Sequence, residues 1–185
     1  MGPAASVTRP GSSLGEFVDG QKSWTMILLF KNLLFTLIVP GTVAVYLPLR
    51  IVRNRSLVSG PTFGAGWPLL LVGASIYAWC VWDFATFGRG TPAPIDAPKK
   101  LVVRGLYRYS RNPMYMGVLT VILAWALLFG AFELLLHTLI VATCFQLFIV
   151  FYEEPHLRAE FGSEYEDYCT RVGRWLPHRQ PRQAV

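Results

Sequence analysis

The chain has 185 residues, 53% of them hydrophobic and 15% charged, with a mean hydropathy of +0.40; an ordinary soluble domain is more polar than this. At about 20 residues per bilayer crossing, several crossings fit into such a length, and a separate soluble domain beside them does not. The net charge of +6 does not point to nucleic acid, because the basic residues flank apolar stretches and do not fill one face of a soluble helix.

Residues 1–22 are rich in Gly, Pro and Ser without periodicity, which predicts a flexible tail ahead of one membrane-embedded unit over 23–185. The first apolar run, about 24–49, is too long for a cleaved signal peptide and lacks a small-residue cleavage site, so it reads as a retained transmembrane helix. Arg50, Arg53 and Arg55 break the pattern, and Ser59 to Gly66 reads as a turn before a second run at about 67–87. Asp83 lies near the end of that run. An ionised carboxylate at bilayer depth costs on the order of 3 kcal/mol, so Asp83 is predicted to face protein or the interface.

The polar interval 88–112 carries Lys99, Lys100, Arg104, Arg108 and Arg111 among turn-forming residues. A third run at about 113–132 and a fourth at about 134–152 are separated only by the neighbourhood of Gly130 and Glu133, which predicts an antiparallel hairpin. Beyond it, the tail 153–185 holds a capping-box pattern at Ser163 and Glu166 and a short amphipathic helix. The predicted fold class is all-α: a polytopic integral membrane protein with about four transmembrane helices, a C-terminal hairpin and a short cytoplasmic helix. Cys80, Cys144 and Cys169 are widely spaced and indicate neither a disulfide framework nor a metal site.

A hairpin returns its two flanking segments to one side, and both are rich in Arg and Lys. The positive-inside bias therefore places the loop 88–112 and the tail in the cytoplasm, although Arg50, Arg53 and Arg55 oppose it.

The most informative string runs from Leu101 to Gly117, a loop leading into a membrane helix. Pro113 suits the first turn of that helix, where its missing N–H does little harm, and the free amides and dipole there favour an anionic group such as a carboxylate. Glu153 and Glu154 follow at the end of the fourth run, with Pro155 next. Adjacent helix positions point about 100° apart. One acid can thus face the hairpin groove while the other meets solvent or a basic residue, and spacing alone slightly favours a purely structural ion pair with the basic loop.

Gly105 to Gly117, then Glu153, Glu154 and Leu157, then Phe161, Gly162, Tyr165, Tyr168, Arg174 and Pro177 resemble the isoprenylcysteine carboxyl methyltransferase family, and the related phospholipid methyltransferases share parts of the pattern. The resemblance covers roughly the last half of the chain, with little from the first two helices. It implies S-adenosylmethionine as cofactor, held by Leu101, Val102, Tyr107, Asn112, Pro113, Met114, Tyr115, Glu153 and Glu154, with Lys99 and Lys100 at the upstream end of the loop. It implies a membrane methyltransferase acting on a lipid-like or small hydrophobic acceptor among membrane lipids, carboxyl O-methylation being favoured, with its site facing the cytoplasm. No side chain is singled out as catalytic.

Two positions depart from the family: Asn112 stands where eukaryotic members have histidine, and Ile149 where they carry a substrate-contacting arginine. Interfacial anchoring is the bland alternative for the tyrosines. An NADPH-dependent reductase of sterol-reductase type shares the arginine, proline, tyrosine and glycine string but commonly has an acid after the glycine, where this chain has Val118. A non-catalytic membrane scaffold is the third reading, with Asn112 and Ile149 as its support.

Overall fold

The computed structural model describes residues 30, 31, 34, 36–88 and 100–177, so the predicted tail 1–22, the start of the first apolar run and Lys99 lie outside the described residues. Among the described residues all regular structure is helical. Helix α1 spans Thr36–Ile51, with a π turn at Thr42–Tyr46. Helix α2 spans Pro61–Asp83 and continues as a π turn over Phe84–Gly88. A short 3-10 turn, Gly105–Arg108, leads to α3, Pro113–Phe129. Helix α4, Phe132–Phe148, passes through a π turn at Ile149–Glu153 straight into α5, Glu154–Phe161. Helix α6, Ser163–Arg171, follows.

Several boundaries differ from the sequence expectation. Helix α2 starts at Pro61 instead of 67, because Gly60 takes φ 108° and stops the preceding chain while Pro61 is preset for a first helical position. Gly64 and Gly66, which read as turn residues, lie inside the helix. Gly66 is needed there for packing, since a Cβ would come 2.6 Å from Leu128 Cγ. The third helix ends at Phe129 and the fourth begins at Phe132, so the hairpin turn is Gly130 and Ala131, slightly earlier in the chain than expected. The fourth helix does not stop at 152: the π turn shifts the bonding just ahead of Pro155, whose ring forbids an amide bond to Phe151, and the axis carries on. The capping box does not form. Ser163 is already helical, Gly162 is the cap residue without a side-chain bond, and Glu166 is drawn away to Arg158 at 2.7 Å.

Helices α2 and α3 make the most extensive contact of the fold. Gly73 and Gly117 face each other across it: a Cβ on Gly73 would sit 2.9 Å from the Gly117 carbonyl oxygen, and one on Gly117 would sit 3.0 Å from that of Gly73. Small residues at a crossing let backbones approach closely, which is how helices associate where the solvent is itself apolar. Ile122, Ala124 and Leu128 of α3 are fully buried beside this seam. Gly130 ends α3 in the left-handed region at φ 56°, and Ala131 N–H returns to the Ala126 carbonyl at 3.1 Å, turning the chain into α4. Gly130→Ala is expected to lower stability by about 1 kcal/mol, measured by thermal unfolding in detergent, because alanine resists that backbone conformation.

Helix α1 packs on the hairpin through a backbone defect. Pro48 has no N–H, so the carbonyls of Val43 and Ala44 lack helical donors on the π and α registers respectively. Side chains of the hairpin supply them: His137 Nε2 meets Val43 O at 3.0 Å and Trp125 Nε1 donates to Ala44 O at 3.0 Å.

The outer surface is apolar. Leu71, Trp79 and Trp82 on α2 and Phe132, Leu139 and Phe151 along the fourth helix are all more than half exposed. Among the described residues two helices, Pro61–Phe87 and Phe132–Phe161, are long and apolar enough to span a bilayer, and only 22% and 17% of their most apolar stretches are buried within the protein. A core helix of a soluble protein would be mostly enclosed, so these faces are built for lipid.

Candidate active site

Beyond the apolar core, the loop 100–112, the first turn of α3, the fourth helix as it leaves the core, and the segment after α6 converge. The loop is held from two sides. Val102 and Tyr107 are buried with Cys80 and Met114 against α2, and the Tyr107 ring stands edge-on to Phe84 with centroids 5.6 Å apart. Leu101 turns the other way, onto the cluster of Tyr165, Tyr168 and Val172. Tyr168 donates its hydroxyl to the Tyr107 carbonyl at 2.7 Å.

Residues 173 and 174 close over the loop. Arg111 N–H donates to Gly173 O at 3.0 Å. The Arg174 carbonyl accepts from both Ser110 Oγ at 3.1 Å and Asn112 Nδ2 at 3.0 Å. The buried Asn112 side chain is thereby spent on the tail and makes no capping bond to α3. The first-turn amides behind Pro113 thus have no side-chain acceptor from the cap residue.

The two acids part company as their 100° separation requires. Glu153, half-buried, accepts from Tyr115 Oη at 2.8 Å through Oε2, and the Tyr115 ring lies against Phe145 with centroids 4.5 Å apart. Glu154 is 4% exposed and surrounded by guanidinium groups. Arg174 binds it in a fork, Nε to Oε1 at 2.8 Å and Nη2 to Oε2 at 3.0 Å. Arg111 lies 3.2 Å away and Arg158 3.8 Å away, one turn along α5. A carboxylate is stable at such burial only when paired this fully. The bond to Glu154 in turn pushes the Arg174 guanidinium above its ordinary value. Burial pushes the phenols of Tyr165 and Tyr168 up, so both act as neutral hydroxyls.

Of the residues picked from sequence, Asn112, Pro113, Tyr115, Glu153 and Glu154 come together at the start of α3, with Tyr107, Met114, Val102 and Leu101 packed behind them. Lys100 is exposed, and Lys99 lies outside the described residues. Sequence reasoning omitted Ser110, Arg111, Arg158 and Cys169 from the site. Arg111 was legible as a loop cation, but its Nη1 contacts to Glu154 at 3.2 Å and Cys169 Sγ at 2.8 Å depend on the tertiary fold. Ile149, at the departing position, is 1% exposed inside the π turn.

The family model described as phospholipid methyltransferase matches residues 61–164. The match reaches back through α2, so the second helix contributes more to the likeness than the sequence motifs alone indicated. An uncharacterized protein of Haemophilus influenzae is 36% identical over 63 residues, covering 34% of this chain and 100% of the relative. Proteins of Oryza sativa subsp. indica and subsp. japonica, each described as a probable protein-S-isoprenylcysteine O-methyltransferase, are 37% identical over 83 residues, 42% of this chain and 41% of theirs. The chain thus spans less than half the length of the rice relatives. No solved structure matches.

Proposed function

This chain belongs to the phospholipid methyltransferase family, and on that footing we propose that it is an S-adenosylmethionine-dependent methyltransferase acting at the membrane on a lipid-like or small hydrophobic acceptor. The observation that carries the reading is Glu153 bonded to Tyr115 at 2.8 Å beside the uncapped start of α3. The residues fit the cofactor. The first turn of α3 offers amides and a positive dipole end to its carboxylate, Glu153 offers an acceptor to its hydroxyl or amino groups, and the Tyr115 and Phe145 rings offer faces to a sulfonium. Leu101, Val102, Tyr107, Asn112 and Met114 shape the floor, with Lys100 at its edge.

When bound, the cofactor would supply an electrophilic methyl group. The chain's own contribution is positioning in a water-poor groove: Tyr107, Met114 and Val102 exclude water, and Glu153 fixes orientation. Glu154 is assigned a different part from its neighbour, since its oxygens are taken by Arg174, Arg111 and Arg158; it holds the site together.

Carboxyl O-methylation is the favoured reaction, because a carboxylate is already nucleophilic at neutral pH and requires no base. An amine acceptor is the second reading, supported by Glu153: its described bond is to the neutral Tyr115 hydroxyl, so it can take a proton from an ammonium. We further propose four crossings, with the loop 88–112 and the tail 153–185 on the cytoplasmic side.

The test is titration of the purified full chain with S-adenosylmethionine, followed by transfer of a labelled methyl group to a panel of lipids and small acids. Binding by the wild type, weakened roughly tenfold or more by Glu153→Gln, is expected. A base-labile label identifies a methyl ester and a base-stable one an N-methyl product. Binding of NADPH in place of S-adenosylmethionine would overturn the assignment.

A further inference from the structure

Asp83 is the one charged residue of α2, and the proposed chemistry gives it no part. It is 1% exposed, yet it stands at the point where α2 becomes the π turn Phe84–Gly88. Its Oδ1 lies 3.3 Å from Arg104 Nε, while its Oδ2 is buried without a hydrogen-bond partner. Such a group is costly to keep, and an apolar side chain of similar size would commonly serve packing as well.

Its surroundings explain where it acts. The Arg104 guanidinium is stacked on the Phe87 ring, 3.2 Å from the centroid, so the π turn and the carboxylate grip the same side chain. Gly105 follows at φ 57°, and a Cβ there would fall 2.3 Å from Asp83 Oδ2. The carboxylate therefore occupies the space that any other residue would fill, and Gly105 opens the 3-10 turn that delivers Tyr107 to its buried position. The tail holds the same turn from the opposite side through Tyr168.

We propose that Asp83 is a positioning residue of the methyl-donor site: through Arg104 and Gly105 it fastens the donor-binding loop to the exit of α2 and so fixes where Val102 and Tyr107 stand. This rests on the cofactor reading above. The loop is shared between two anchors, one in the membrane-exit helix and one in the tail, and loss of either leaves it attached but misplaced.

The experiment uses the full chain in lipid nanodiscs with Asp83→Asn, Arg104→Gln and the double variant. Three quantities are read: S-adenosylmethionine affinity by calorimetry, thermal midpoint, and amide hydrogen exchange of the segment 101–109 and of the helices without ligand. Asp83→Asn and Arg104→Gln are each expected to weaken donor binding by roughly tenfold, the double variant no more than the worse single, with faster exchange confined to the loop and the thermal midpoint little changed. Arg104 is partly exposed, so its variant remains informative if Asp83→Asn does not fold. Unchanged donor affinity and loop exchange in Arg104→Gln would overturn the proposal. So would a fall in thermal midpoint in parallel with donor affinity, with faster exchange throughout the helices, as a general structural role predicts. A wild type that binds no S-adenosylmethionine overturns the functional reading instead, and loop exchange then still decides whether Asp83 anchors the turn.

Discussion

Glu154→Ala is expected to lower stability by on the order of 3 kcal/mol and to abolish S-adenosylmethionine binding, read by thermal unfolding and calorimetry on the same preparation. The substitution removes the one carboxylate that three guanidinium groups share, at 4% exposure. Arg158 and Arg174 keep some access to water, which limits the cost; Arg111, with its Nε already buried without a partner, does not recover so easily. Asn112 is fixed by the carbonyl of the same Arg174 whose side chain binds Glu154, so freeing that arginine loosens both. Glu154→Gln should give the intermediate result, keeping shape and one acceptor but losing the charge. An alanine variant with wild-type melting would mean the cluster is already solvated and contributes little.

Gly117→Val should be as damaging for a different reason. The added carbons meet the Gly73 carbonyl and the Tyr77 amide, each 3.0 Å from a Cβ at this position, and neither is the yielding end of a long side chain. Helices α2 and α3 must separate, costing about 3 kcal/mol, the upper part of the usual range for overpacking. The displacement also moves Tyr115, two residues earlier on α3. Donor affinity should consequently fall even in variants recovered folded, whereas Gly64→Ala, with nothing within 4 Å, should leave melting and affinity alone. Equal melting temperatures for Gly117→Val and wild type would refute the tight seam.

How much of this was legible in the sequence differs by element. Apolar runs marked the helical segments because lipid-facing and buried positions are both apolar, but that same uniformity erased the boundaries. Pro61 could equally belong to a turn or a helix start, and the glycines after it read as a turn until Leu128 is seen filling the space beside Gly66. The fourth apolar run ends at about 152, where acids replace apolar residues; the π turn before Pro155, which no local pattern announces, let the helix continue.

At the site, Pro113 stood out because proline after a polar loop suits a first helical turn, and the acid pair because adjacent acids at a membrane exit are physically expensive. The division of labour between the acids was open, since a 100° offset says that they diverge but not toward what. Arg174 was visible as a motif residue, yet its double engagement, carbonyl on Asn112 and guanidinium on Glu154, spans 62 and 20 residues of chain and has no local trace. Ser163 and Glu166 show the converse, a correct local pattern defeated because Arg158 offered Glu166 a better bond.

The clasp formed by Gly173 and Arg174 over residues 110–112 also sets an order of events during synthesis. While the α3–α4 hairpin is being made, Ser110, Arg111 and Asn112 already precede it in the chain, but the carbonyls that complete them lie some sixty residues further on. Until that stretch is translated, the cationic loop stays unclosed, and the nascent chain carries its hairpin without a finished site.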